Sequence, residues 1–333
     1  MSASPAPLRR MLLRRLAVLG VLLGLVALTL AGAYLVAPQL LLRAVYMQQA
    51  TVAHVEKKSV VAGDTRWSYY EGGNGPPLVL LHGFSGSKEN WLPAAKFLTR
   101  NFRVIVPDLP GWGESSRDPQ GDYGYAAQAA RLEAFAQALR LPRFALVGHS
   151  MGGAIAGLYA AAHPGELAAV AFLDSAGVPF KENDFARAVQ AGHDPFAYSD
   201  RAGFERLLAL VFVKPPSIPG RIEDVFVAAN GAGDHGFLQR VLASLRTPEA
   251  ARALLPALPK IAAPALVLWC AHDRVIDVSA MTALRAGLTA APRIDATLLM
   301  GCGHMPMLEQ PRETADALTR FLLLPAGAFS QTP

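Results

Sequence analysis

The chain has 333 residues, 52% of them hydrophobic, and a formal net charge of +5. That is enough chain and apolar content for one large α/β core with an insertion. Four of the positive charges are Arg9, Arg10, Arg14 and Arg15, and setting them aside leaves +1 for everything else. The basic balance therefore lies at one end and gives nucleic-acid binding no support. The two cysteines, Cys270 and Cys302, are too few for a disulfide scaffold, and no C-x-x-C or H-E-x-x-H cluster is present, so neither a metal nor a zinc mechanism is expected.

The basic residues 1–15 lead into residues 16–37, which carry no charge and are rich in Leu, Val, Ala and Gly. At about 1.5 Å per helical residue the run spans the roughly 30 Å of a bilayer core. With the arginines before it and only Arg43 following closely, the positive-inside rule puts the N-terminus in the cytoplasm and the rest in the periplasm or outside. Ala31-Gly32-Ala33 offers a signal-cleavage site. The run exceeds the 7 to 15 or so residues of a signal core, which favours an uncleaved, single-pass signal anchor. Residues 38–53 read as a short juxtamembrane helix, either resting Leu40, Leu41, Leu42, Val45 and Tyr46 on the membrane surface or serving as a plain linker.

Beyond that the periodicity changes. Residues 55–61 and 66–70 alternate like two strands around the turn Ala62-Gly63-Asp64. The short apolar runs at 78–81, 104–106, 144–147, 170–173 and 265–268 predict strands buried on both faces. Helical patterns at 91–98, 125–139, 153–162, 278–288 and 313–324 alternate with them, so a mostly parallel sheet flanked by helices is expected. The core is read as 54–177 and 260–324. It is interrupted at 178–259 by a helical lid insertion punctuated by Pro215-Pro216 and Gly231-Ala232-Gly233, and 325–333 reads as a loose tail.

The most informative motif is Gly148-His149-Ser150-Met151-Gly152, between the strand-like run 144–147 and a helix-like stretch. A serine flanked by glycines at a strand-to-helix junction is the context of a nucleophile elbow. The glycines are needed because the sharp turn leaves no room for Cβ atoms two residues on either side. A serine hydroxyl is a weak nucleophile and needs a base oriented by a carboxylate, expected in the order Ser, Asp or Glu, His. His304, in Gly301-Cys302-Gly303-His304 after an apolar run, is the candidate base. Asp273 is the candidate acid, placed by its strand at the sheet edge where open α/β folds bind ligands. Asp277 and Asp174 are the alternatives, Asp277 reading better as a cap for the helix after it.

The candidate oxyanion donors are the backbone N–H groups of Phe84, in His82-Gly83-Phe84 after a strand, and of Met151. His82 reads as a structural bond-former within its loop. His149, His163, His193, His235 and His272 show no pairing. Cys270 and Cys302, both near strand ends, read as inert buried thiols, with a bridge as the alternative. Phe84, Phe180 and Phe212 are candidate substrate contacts. Phe185, Phe196, Tyr198, Phe204, Leu207, Leu208 and Phe226 are further candidates to line an acyl pocket, or else to form the insertion's own small core.

Leu81-His82-Gly83-Phe84, residues 106–115 (Val-Pro-Asp-Leu-Pro-Gly-Trp-Gly-Glu-Ser), Gly148 to Gly153, Asp273-Arg274-Val275-Ile276-Asp277 and Gly303-His304 together resemble the α/β-hydrolase superfamily over nearly all of 55–324. An N-terminal anchor joined to His-Gly-Phe-Ser-Gly, then Lys88-Glu89-Asn90-Trp91, and Gly-His-Ser-Met-Gly-Gly, is similar to the membrane-anchored monoacylglycerol-lipase-like branch and related bacterial lipases. The resemblance implies cofactor-free hydrolysis of acylglycerols or similar lipid esters, with the insertion as a lid. Having Ser at the elbow disfavours the Asp-nucleophile relatives, and the His-Gly-Gly-Gly loop of hormone-sensitive-lipase-like esterases and the His-Gly-Gly-Pro loop of proline iminopeptidases are absent. Two other readings compete: a serine hydrolase acting on non-lipid esters or carbon-carbon bonds, and a catalytically silent binding module on the same scaffold.

Overall fold

A computed structural model of the chain describes residues 6–230 and 235–323. The segment 231–234, with Gly231-Ala232-Gly233, the first residues of the basic N-terminus and the expected tail at 325–333 lie outside the described residues.

Helix α1 (Ala6–Val36) is followed by α2 (Pro38–Val52). A proline at the first position of α2 suits its start, since the fixed φ favours the helix and the missing N–H has no partner there. The two differ in what they touch. The leucines and valines of α1 stay exposed, Leu28 at 72%, and residues 9–36 form a helix long and apolar enough to cross a membrane. By contrast α2 buries Ala50 and packs against the body of the protein.

The body is an eight-stranded sheet: β1 (Val55–Ala62), β2 (Thr65–Gly72), β3 (Pro77–Leu81), β4 (Arg103–Pro107), β5 (Phe144–His149), β6 (Leu167–Leu173), β7 (Ala265–Cys270) and β8 (Ile294–Leu299). Their spatial order is β1-β2-β4-β3-β5-β6-β7-β8. The pairs β1–β2 and β2–β4 are antiparallel, and every pair from β4 to β8 is parallel. The inner strands β5 and β7 are buried throughout, as their unbroken apolar runs require, whereas edge strand β8 is only half covered.

Helices α3 (Leu92–Leu98), α4 (Tyr125–Ala138), α5 (Met151–Ala162), α10 (Ala280–Gly287), α11 (Pro306–Glu309) and α12 (Pro311–Leu323) flank the sheet. One apolar core holds α4, α5 and α10 on one face, with Trp67 of β2 stacked on Phe135 at 4.5 Å; the other holds α2, α3 and α12. Between β6 and β7 run α6 (Asp184–Gln190), α7 (Arg201–Val211), α8 (Gly220–Ala228) and α9 (His235–Leu245). Asn183 and Asp200 cap α6 and α7 by accepting the N–H groups of Ala186 and Gly203. Helix α8 rests on α2, and the N–H of Arg221 donates to Tyr34 Oη of α1 at 3.3 Å.

One sequence expectation is corrected. Cys270 and Cys302 form a disulfide instead of two free thiols. Cys270 closes β7 and Cys302 lies in the loop after its parallel neighbour β8, which brings their Cα atoms to 5.2 Å, inside the span a bridge needs.

Candidate active site

The carboxyl ends of β3, β5, β6, β7 and β8 deliver Phe84, Ser150, Asp174, Asp273 and His304 to one edge of the sheet. Ser150 sits between β5 and α5 at φ 54°, a left-handed conformation that strains a non-glycine residue by about 1–3 kcal/mol. Its backbone is held there by bonds on both sides: Ser150 N donates to Leu173 O at 2.9 Å, and Ala176 N donates to Ser150 O at 3.0 Å. The flanking glycines are forced by close approach. A Cβ on Gly148 would stand 2.1 Å from Gly152 O, and one on Gly152 would stand 2.6 Å from His82 O.

Asp273 and His304 meet directly. His304 Nδ1 donates to Asp273 Oδ2 at 2.8 Å, while Asp273 Oδ1 accepts the N–H groups of Val275 at 2.7 Å and Ile276 at 3.0 Å. With Nδ1 engaged, Nε2 is the ring nitrogen left for a reacting hydroxyl. Both side chains are buried. Asp277 instead accepts the N–H of Ser279 ahead of α10, and Asp174 Oδ1 accepts the N–H of Cys270. Neither takes the Asp273 position against His304.

The backbone of His304 is fixed as well. Its N–H donates to Val211 O at the end of α7, and its carbonyl accepts Nε2–H of His149 at 2.6 Å, the two imidazoles lying 4.8 Å apart. Sequence reading gave His149 no partner, and the structure corrects that. The residue before Ser150 is buried, which with the nearby His304 pushes it well below the usual histidine pKa and keeps it neutral, yet it retains a hydrogen bond. Glu309 is a second residue the sequence gave no reason to single out. Its carboxylate accepts the N–H of Gly303 at 2.6 Å and those of Val213 and Lys214, joining the His304 loop to the segment after α7. The Cys270–Cys302 bridge joins the strand end before Asp273 to the loop before His304.

The loop after β3 carries Phe84, a candidate donor from the sequence. His82 is buried, and its two nitrogens have opposite roles: Nε2 accepts Leu109 N–H at 2.9 Å and Nδ1–H donates to Gly83 O at 2.8 Å. Burial pushes its pKa down to about 4, so the ring is neutral and holds the loop in place. A Cβ on Gly83 would lie 3.0 Å from Ser150 Cβ, so the loop rests against the elbow. The N–H groups of Phe84 and Met151 have no backbone acceptor among the described residues. Under the loop, Lys88 is 1% exposed and its Nζ meets Asp108 at 2.7 Å and Glu89 and Glu114 at 3.1 Å. Burial opposes its charge, but the three carboxylates outweigh burial and hold its pKa above the usual lysine value.

A cavity of about 490 Å³ opens over Ser150 and Met151, with Phe84, Phe180, Phe185 and Phe196 in its wall. Phe84 and Phe196 meet edge to face at 5.9 Å, which joins the loop after β3 to the insertion. Phe212, expected to touch substrate, is instead 7% exposed and packed in the core beside Val211, because the bonds from Val211, Val213 and Lys214 turn this segment inward. Tyr198, Phe204 and Phe226 stack on one another away from the cavity as a small core of their own.

A family profile described as the alpha/beta hydrolase fold matches residues 76–311. The chain belongs to this family. It is 30% identical over 264 residues to monoacylglycerol lipase abhd6-A of Xenopus laevis, covering 75% of this chain and 76% of that protein. It is 31% identical over 285 residues to Lipase 1 of Psychrobacter immobilis, covering 83% and 86%. Among solved structures it is similar to a membrane phospholipase A described as a bacterial virulence factor, with a TM-score of 0.80, 36% identity, and coverage of 94% of this chain and 98% of that one. This α/β-hydrolase is a carboxylic ester hydrolase of the lipase branch, and its apolar N-terminal helix points to membrane association.

Proposed function

We propose that the protein is a membrane-anchored serine hydrolase that cleaves acylglycerols or related lipid esters through an acyl-enzyme. The observation that carries this reading is the Asp273–His304 pair at the same sheet edge as a strained Ser150, beneath an apolar cavity. Ser150 Oγ attacks the acyl carbonyl while His304 Nε2 takes its proton. His304 then returns that proton to the leaving alcohol, and Asp273 keeps the imidazole in the Nδ1–H tautomer and stabilises the imidazolium. The N–H groups of Phe84 and Met151 receive the oxyanion, Met151 from the N-terminus of α5, where the helix leaves its first donors unpaired. Water, activated by the same histidine, releases the fatty acid. Phe180, Phe185 and Phe196 take the acyl chain, and the α6–α9 insertion acts as the lid over it.

The domain is assigned to the extracytoplasmic side. Two independent observations support this: the arginines precede the span, and the bridge between Cys270 and Cys302 belongs to an oxidising compartment. Uncleaved, the span then tethers the cavity beside its lipid substrate.

A fluorophosphonate probe tests the nucleophile. Wild-type labelling that disappears in Ser150→Ala is expected, and a well-folded wild type that does not label would overturn the assignment. Release of fatty acid from monoacylglycerols, set against p-nitrophenyl esters from C2 to C16, tests the substrate class; activity confined to non-ester substrates would sink it. A C-terminal alkaline phosphatase fusion should be active, and an inactive fusion to a stable protein would reverse the orientation.

A further inference from the structure

Asp174 has no part in the mechanism above, yet it is fully buried at the centre of the site. It ends β6 at φ 44°, a left-handed conformation that aspartate tolerates better than most residues. Its Oδ1 accepts the N–H of Cys270 at 2.9 Å, while its Oδ2 has no hydrogen-bond partner among the described residues. One polar atom each of Asp174, Asp273 and His304 lie within 4.8 Å of one another, which sets the two carboxyl groups side by side.

Two buried carboxylates this close do not readily both keep their charge, because their repulsion adds to the cost of burial. The hydrogen bonds decide which one is ionised. Asp273 accepts three donors, from Val275, Ile276 and His304, whereas Asp174 accepts one. The charge is therefore better placed on Asp273 and the proton on Asp174. A proton on Asp174 Oδ2 also removes the orphaned oxygen, since it turns an acceptor with nothing to accept into a donor facing a carboxylate.

We propose that Asp174 is a positioning residue for the ester hydrolase: it carries the proton of a two-carboxyl pair and donates it to Asp273, so that a single negative charge, fixed in place, stands behind His304. The titratable groups facing Asp174 are Asp273 from the loop after β7, His304 from the loop after β8 and Glu309 from α11. Burial first, and the Asp273 charge after it, hold the Asp174 carboxyl well above the usual carboxylate range, which agrees with this placement. The donated hydrogen bond adds a fourth donor to Asp273 and restrains the carboxylate that orients the imidazole.

The inference rests on the Ser150–His304–Asp273 reading, and two measurements separate its failure from the failure of that reading. Infrared difference spectroscopy of the full chain at pH 7, wild type minus Asp174→Asn, should show the loss of a protonated carboxylic acid carbonyl band. Loss of an ionised carboxylate band alone would overturn the proposal. This readout does not depend on Ser150 being the nucleophile, which the fluorophosphonate probe reports separately. In the second measurement, Asp174→Ala should lower kcat/KM on p-nitrophenyl butyrate about tenfold, as expected for one lost orienting hydrogen bond. Asp174→Asn should recover most of that loss, because an amide N–H donates where the carboxylic O–H did. An Asn variant no better than Ala would overturn the positioning role. If the Ala variant does not fold, the infrared result on the Asn variant still decides where the proton sits.

Discussion

The sheet edge around the candidate site and the cavity-facing wall of the insertion above it are built from different contacts. At the sheet edge the loops are held by charged and polar bonds with little freedom: Lys88 among three carboxylates, His82 spanning Leu109 and Gly83, Glu309 gathering three N–H groups, and a disulfide between the Asp273 and His304 loops. The insertion adds aromatic packing to its ion pairs Arg201–Asp224 and Arg246–Asp194, with Phe204 packed on Tyr198 and Phe226 and with Phe185 and Phe196 leaning over the cavity. Directional bonds fix catalytic atoms to fractions of an ångström, whereas aromatic contact lets a wall adjust to a chain of variable length. On the proposed function, chemistry and specificity fall to regions built from different contacts.

The strongest way to break this contrast is to remove one polar tie. Lys88→Met leaves Asp108 buried without its cation, Lys57 reaching only Glu114, so a loss of about 3–5 kcal/mol is expected, measured by denaturant unfolding. A loss below about 1 kcal/mol would show that the loop after β3 does not depend on its ion cluster. Next in size is the bridge. It closes a loop across a sequence separation of 32, and the double variant Cys270→Ala, Cys302→Ala should lose about 3–4 kcal/mol on chain-entropy grounds. Because the bridge joins the loops of Asp273 and His304, kcat should fall further than an equally destabilising change on α12. Equal losses would restrict the bridge to global stability.

The same contrast explains what was legible in the sequence. Gly148, Gly152, Ser150, Asp273 and His304 could be read because each follows an apolar run at a strand end and because the turn geometry leaves glycine no substitute. The strands and flanking helices followed from periodicity for similar reasons. Phe180, Phe204 and Phe212 could not be told apart, since a helical apolar stripe looks the same whether it faces a cavity, its own insertion or the main core. Phe212 was turned inward by backbone bonds to Glu309 and His304, which leave no trace in side-chain pattern. The disulfide, the His149 bond and the closeness of Asp174 to Asp273 share one cause: each joins segments far apart in the chain, and register among strands β5 to β8 decides them.

A smaller effect should appear on acidification. The pKa of His82 is about 4 in the folded protein and near 6.5 when exposed, so the unfolded chain takes up the proton first as pH falls. Stability is therefore full above about pH 6.5 and is lost progressively toward pH 4, by about 3 kcal/mol from this residue. His149, also pushed down by burial, adds a slope of the same sign. His82→Asn should flatten the dependence of Tm on pH between 6.5 and 4 without removing it. An unchanged slope would mean that the ring is not the neutral clamp its two hydrogen bonds describe.

The smallest expected effect sharpens the comparison most, because it separates cavity wall from insertion core. Phe180 lines the cavity, whereas Phe204 is buried against Tyr198 and Phe226. Phe180→Ala widens the space over Ser150 and removes apolar contact with the acyl chain, so the ratio of kcat/KM for long over short p-nitrophenyl esters should change by about tenfold, with Tm almost unaffected. Phe204→Ala should do the reverse, lowering Tm and leaving that ratio in place, because the side chain touches its neighbours and not the substrate. If both variants shift the ratio equally, the insertion responds as one body, and specificity belongs to the position of α6–α9 as a whole instead of to the wall residues. If neither does, the acyl chain takes another course out of the site, and the aromatic wall is a cover for the triad without being its selector.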